Sequence, residues 1–217
     1  MKEKRKNQEE INRSICKVDI SICEECSING KLMCKLNIKD SICFGIPVIT
    51  SWTIMIIGIV HGFMINNLNL TELIIFIVGY LGFLAFFFLL WENKVLCSHC
   101  PYYSFEEDKA VKCYANYGLH KAWKYNPSPM SKFEQIQFLI GISIFVIYPL
   151  VFLLIAQAFV CSILYIISSI VWIVSMHFLG CAKCPNFSCP LNNVPKNVVD
   201  EYLKKNPVMK KGLVTQI

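Results

Sequence analysis

Four apolar runs decide what this chain can become. They lie at Phe44–Ile65, Leu70–Leu90, Ile136–Ile155 and Phe159–Leu179. At a rise of 1.5 Å per residue, about 20 helical residues cross a hydrocarbon layer of roughly 30 Å. A single run of this kind also reads as a buried core helix. Four of them, in two closely spaced pairs, do not read that way in a chain that is 55% hydrophobic and only 17% charged. The expected fold is all-α: a polytopic membrane protein with four transmembrane helices arranged as two hairpins.

Charge placement orients the hairpins. Nine of the 21 Lys and Arg residues fall in residues 1–43, six in 93–132 and six in 180–217. With four spans, these three segments share one side of the membrane. The other side receives only the links around Asn66–Asn69 and Ala156–Ala158. The positive-inside rule puts both termini and the central loop in the cytoplasm, which makes this a multi-pass protein of the cell membrane. The first 43 residues carry no early apolar run, so they do not read as a secretory signal. The net charge of +6 then follows from topology. Its implied partner is anionic membrane lipid, and no nucleic-acid role is required.

The chain divides into a cytoplasmic Cys-rich segment (1–43), hairpin 1 (44–90), a cytoplasmic Cys-rich loop (91–135), hairpin 2 (136–179) and a Cys-rich tail (180–217). Each hairpin is followed by nearly the same phrase. One is Cys97-Ser98-His99-Cys100-Pro101-Tyr102-Tyr103-Ser104. The other is Cys181-Ala182-Lys183-Cys184-Pro185-Asn186-Phe187-Ser188. Both read Cys-x-x-Cys-Pro-x-aromatic-Ser, and one tight turn at this spacing presents two sulfurs to one ion. The repeat implies a duplicated unit of membrane hairpin plus cysteine knuckle.

Of the twelve cysteines, only Cys161 lies within a span. The rest fall on the reducing side, where disulfides are a poor explanation and metal ligation or redox chemistry a better one. If the hairpins pack about a pseudo-two-fold axis, Cys97 and Cys100 face Cys181 and Cys184 across one metal centre. For tetrahedral zinc each sulfur would lie about 2.3 Å from the ion. An iron–sulfur cluster also takes four thiolates. Cys113 and Cys189 follow the knuckles as further ligands. The competing arrangement closes each knuckle separately, with Cys113 for the first and Cys189 for the second. A second site is expected from Cys16, Cys23, Cys26 and Cys34, although pairing some of these with Cys113 and Cys189 fits the spacing equally. Residues 14–43, which also contain Cys43, lack a sustained apolar period, so a metal is the expected organiser of that segment.

Local signals complete the outline. Ser131 and Glu134 form a capping box ahead of the third span. Pro149 should kink that span and leave the carbonyl of Phe145 without its usual partner. Ala156–Ala158 must be a turn, since a continuous helix from 136 to 179 would be about twice the bilayer thickness. Pro195 opens a short amphipathic helix whose Val198, Val199, Tyr202 and Leu203 suit local packing.

Other chemistries are poorly provided for. His99 reads as an exposed knuckle residue rather than a ligand. His61 and His177 fall near opposite faces of the membrane, which disfavours a haem between them. His61 reads as a structural histidine at the interface, with quinone binding or proton movement as the alternative. There is no phosphate loop, no His-Glu-x-x-His and no Gly-x-Ser-x-Gly. Glu72 and Glu92 fall at span ends, where a charge costs little.

The strings Cys97-x-x-Cys100-Pro101-Tyr102-Tyr103, Cys113-Tyr114-Ala115-Asn116-Tyr117-Gly118, Pro129-Met130-Ser131 and Asn186-Phe187-Ser188-Cys189-Pro190-Leu191-Asn192 resemble a family of small cysteine-rich membrane proteins of anaerobic prokaryotes. The resemblance spans most of the chain and implies a prokaryotic cell membrane, but no activity. The knuckles also resemble those in the membrane subunits of ferredoxin-type quinol dehydrogenases. Those subunits have a longer Cys-x-x-x-Cys-Pro spacing and extra ferredoxin motifs that this chain lacks. The functional expectation is a membrane-anchored redox component with an iron–sulfur or other thiolate-bound metal, exchanging electrons with a soluble partner or a quinone. The alternative is a non-enzymatic scaffold whose zinc sites fold the cap.

Overall fold

The computed structural model describes residues 26–34, 38–65, 67–104, 109–111, 113, 115–206 and 209–211. Its helices are α1 (Ile38–Met64), α2 (Leu70–Phe86), α3 (Glu92–Val95), α4 (Lys132–Ile155), α5 (Phe159–Ser175) and α6 (Lys196–Lys205). The described residues contain no strand, only one isolated antiparallel bridge between Ala110 and His120. Four helical stretches are long and apolar enough to cross a membrane: Ser41–Met64, Leu70–His99, Lys132–Ile155 and Phe159–Lys183. Their outer faces carry Ile49, Val78, Ile147 and Val160, all more than half exposed. So wide an apolar exterior suits lipid rather than water. The protein is an all-α, multi-pass membrane protein.

Two links reverse the chain. At the first, Asn69 caps α2 through a reciprocal box with Glu72, with both hydrogen bonds at 2.9 Å. At the second, Gln157 takes φ 54° between α4 and α5, a left-handed conformation that a turn this tight requires. The Ser131–Glu134 box forms at the start of α4 as expected. Helix α4 runs continuously through Pro149, and the Phe145 carbonyl accepts the Tyr80 hydroxyl of α2 at 3.4 Å. The polar group released by the proline is thus met by a neighbouring helix.

Small residues set how closely the helices approach. In α1, Gly58 lies against Leu153 and Cys161, and Gly62 against Ala156. Ser51 donates to Ser168 of α5 at 2.9 Å. Such a seam lets helix backbones come close where lipid supplies no hydrophobic drive. Gly141 of α4 accommodates the ring of Phe87 in the same way.

The second helix of each hairpin does not end as a plain α-helix. Helix α2 passes through a π-helical turn, Phe87–Trp91, then α3, then a 3₁₀ turn, Cys97–His99. Helix α5 passes through a π-helical turn, Met176–Gly180, directly into a 3₁₀ turn, Cys181–Lys183. The second span therefore continues well beyond Leu90. π-turns recur at functional sites because they rotate the helix that follows.

Apolar packing joins the N-terminal part of the cap to its C-terminal helix. Ile28 and Leu32 of the N-terminal segment are buried against Val198 and Tyr202 of α6 and against Met209. Pro195 sits one position before α6, as its N-cap. Ser27 donates to Glu201 at 2.8 Å, which joins the same two segments. Residues 26–34 are thus organised by the amphipathic face of α6. Cys16 and Cys23 lie outside the described residues.

Candidate metal centre

The Cys-x-x-Cys turns of the two knuckles have the same backbone shape, although Pro101–Ser104 forms a further 3₁₀ turn that the second knuckle lacks. Each begins with a buried cysteine in a 3₁₀ turn, and Cys97 and Cys181 are both 6% exposed. In each, the second cysteine's N–H returns to the first cysteine's carbonyl, at 2.9 Å for Cys100 and 3.4 Å for Cys184. Each second cysteine is extended, with ψ 137° and 126°. The following proline has no N–H to give, so the donor nearest the sulfur comes from two residues on. The backbone N–H groups of Tyr102 and Asn186 approach the sulfurs of Cys100 and Cys184, and that of Leu191 approaches Cys189 in its own Cys-Pro pair. At Cys113 the Asn116 N–H donates to sulfur at 3.4 Å.

Both knuckles open onto one cavity of about 250 Å³ at the junction of bundle and cap. Cys97, Cys100, Cys113, Cys181, Cys184 and Cys189 all line it. Its membrane-side wall is apolar, with Trp52, Phe88, Phe145 and Trp172 among its residues. The two halves are fastened to each other. Asn186 of the second knuckle donates to the Leu96 carbonyl, just ahead of Cys97, at 3.1 Å. Met33 ties both knuckles together, with its N–H bonded to the Lys183 carbonyl at 2.8 Å and its own carbonyl accepting the Tyr102 hydroxyl.

This arrangement differs from two separately closed sites. It also differs from a finished zinc shell. Among the described residues, no group of three or more His, Cys, Asp or Glu side chains is disposed to hold a metal ion. Cys97, Cys100, Cys181 and Cys184 are nonetheless brought to one cavity.

Three further expectations need correcting. His99 is buried rather than exposed; its Nδ1–H donates to the Ser128 carbonyl at 2.6 Å and its Nε2 lies 3.3 Å from Glu134. It fastens the first knuckle to the start of α4 and is not part of the cavity wall. Glu92 is not at a cheap, solvated span end. It is 6% exposed and lines the cavity, because the helix continues past Trp91 into the cap. Cys26 and Cys34 pack beside the α6 cluster rather than at the cavity. Cys43 is exposed, and Cys161 packs within the bundle. His61 and His177 stand at the ends of antiparallel helices, His61 in the last turn of α1 and His177 in the π-turn after α5.

Sequence reasoning did not single out Asn116. Its side-chain amide donates to Glu92 Oε1 at 3.1 Å and to Cys97 Sγ at 3.3 Å. The other oxygen of Glu92 has no hydrogen-bond partner among the described residues. Asn186 was missed as well, although it occupies the repeat position of Tyr102. The signal was a residue with a polar side-chain group directly after the Cys-Pro of each knuckle.

Burial dominates the electrostatics. It pushes the thiols of Cys113 and Cys184 up to about 12. Cys100 is also well above the ordinary range, first by burial and then by the neighbouring Cys184 and Cys113. Cys189 is raised by burial and by Cys184. Coupling of Cys100 and Cys113 to Cys184 runs between the knuckles. Without a cation these groups stay neutral thiols. A bound cation reverses that preference and expels the protons.

The cavity has six sulfurs, backbone N–H groups near four of them, an apolar wall and a carboxyl oxygen without a partner among the described residues. Thiolates are the donors that a zinc ion or an iron–sulfur cluster takes. No family model matches the chain, and no curated protein or solved structure matches it. The functional reading therefore rests on the site.

Proposed function

We propose that this protein is a membrane-anchored electron-transfer component whose knuckles, with Cys113 and Cys189, hold a polynuclear thiolate-bound metal centre, an iron–sulfur cluster. The observation that carries the reading is six cysteines, from both knuckles and the segments that follow them, around one cavity. Such a cluster supplies one-electron chemistry, with a potential tuned by N–H···S hydrogen bonds and solvent exclusion. The chain's part is to hold the sulfurs, direct the Tyr102, Asn186, Leu191 and Asn116 N–H groups at them, and exclude water with the aromatic wall. The basic cap lies on the cytoplasmic side, within reach of a soluble electron carrier or of a quinone in the bilayer.

Optical and EPR spectra of anaerobically purified protein test this. A broad visible absorbance and a signal on reduction are expected. Colourless, EPR-silent protein with stoichiometric zinc rejects the proposal in favour of a zinc-folded scaffold. For topology, a membrane-impermeant thiol reagent should leave Cys43 unmodified in intact cells and label it in inverted vesicles; the opposite pattern places the cap outside.

The raised thiols also set a pH dependence. Cys113 and Cys184 move from 9.0 to about 12 in the metal-free fold. A group whose folded pKa is raised contributes stability that is complete below its unfolded value and lost as pH rises through the folded one. The chelated protein is therefore expected to lose thermal stability between about pH 9 and pH 12. A melting temperature that holds steady across that window contradicts the buried-thiol arrangement.

A further inference from the structure

We infer that Glu92 supplies a carboxylate ligand to the centre proposed for the cysteine cavity, an inference that rests on that metal reading. Four observations meet at this residue. Glu92 is 6% exposed and lines the same cavity as the six thiols. Asn116 takes up Oε1 at 3.1 Å, which orients the group, while Oε2 has no partner among the described residues. Among those residues no Lys, Arg or His forms an ion pair with it. The same Asn116 amide reaches Cys97 Sγ at 3.3 Å, so one side chain fixes the carboxylate relative to a sulfur.

A buried carboxylate needs a cation or a proton to neutralise it, and an orphaned oxygen in a dry site carries the cost of lost solvation. Glutamate oxygen is an established donor to metals that also take thiolate. A metal centre held by the cavity's cysteines would give Oε2 the partner it lacks. The centre would then have one position held by oxygen as well as sulfur, chemically distinct from an all-cysteine cluster.

The test uses full-length protein in detergent, purified anaerobically. Wild-type protein enriched with ¹³C-carboxyl glutamate should show a resolved ¹³C coupling to the reduced paramagnetic centre by pulsed EPR. Glu92→Gln, which keeps the shape and removes the charge, should abolish that coupling, shift the EPR spectrum and weaken metal retention against a chelator by about tenfold or more. Cys-ligated metal with no ¹³C coupling in the wild type overturns the inference and leaves the metal reading intact. A Glu92→Gln spectrum superimposable on wild type does the same. Wild-type protein that binds no metal overturns both. The coupling is read on the wild type, so the outcome does not depend on the variant folding.

Discussion

Cys100→Ser and Cys184→Ser, made separately, are expected to lower the metal content of the purified protein by the same large fraction. The two residues lie in different hairpins, far apart in sequence. The two cysteines nonetheless line one cavity, and after burial it is Cys184 that does most to push the Cys100 thiol up. Each knuckle brings two sulfurs, too few for a closed shell, so removing one from either side opens the same centre. Loss of a group that merely supports a ligand typically costs about 10–100-fold in metal affinity, and loss of a ligand should cost no less. Elemental analysis after gel filtration gives the answer. Full loading of one variant beside clear loss in the other would split the cavity into independent sites.

The largest effect on folding is expected from Gly141→Ala. A Cβ at Gly141 would be driven into the ring of Phe87. Phe87 cannot yield easily, because it is fully buried, stacks on Phe83 at 5.5 Å and meets Phe88 edge-on at 5.2 Å. It also begins the π-turn that leads to the first knuckle. Overpacking of this kind costs about 1–3 kcal/mol. The melting temperature should fall, and Phe87→Leu in the same background should recover part of the loss. Gly82→Ala is the control, since nothing lies within 4 Å of a Cβ there. Equal melting temperatures for the two alanine variants would show that α4 and the π-turn do not pack as described.

Four spans, the Ser131 capping box and the turn at Ala156–Ala158 were readable from local sequence. Each depends on residues a few positions apart: an apolar run, a side chain three residues from its partner, a length that exceeds the bilayer. The kinship of the two knuckles was readable too, because each Cys-x-x-Cys opens in the same 3₁₀ turn directly after a helix. What only the tertiary structure decided was where those turns point. The π-turns at Phe87–Trp91 and Met176–Gly180 have no distinctive composition, yet they orient the chain entering each knuckle. Glu92 looked solvated because its position in sequence is a span end. It is buried because the helix runs on into a cap assembled from residues far away, Asn116 above all. That cysteines delivered by both hairpins line one cavity is likewise a property of packing between the hairpins. Local pattern determines elements, since its interactions are short-ranged. A site made of two knuckles, a loop asparagine and a buried carboxyl depends on contacts that exist only once the hairpins have met.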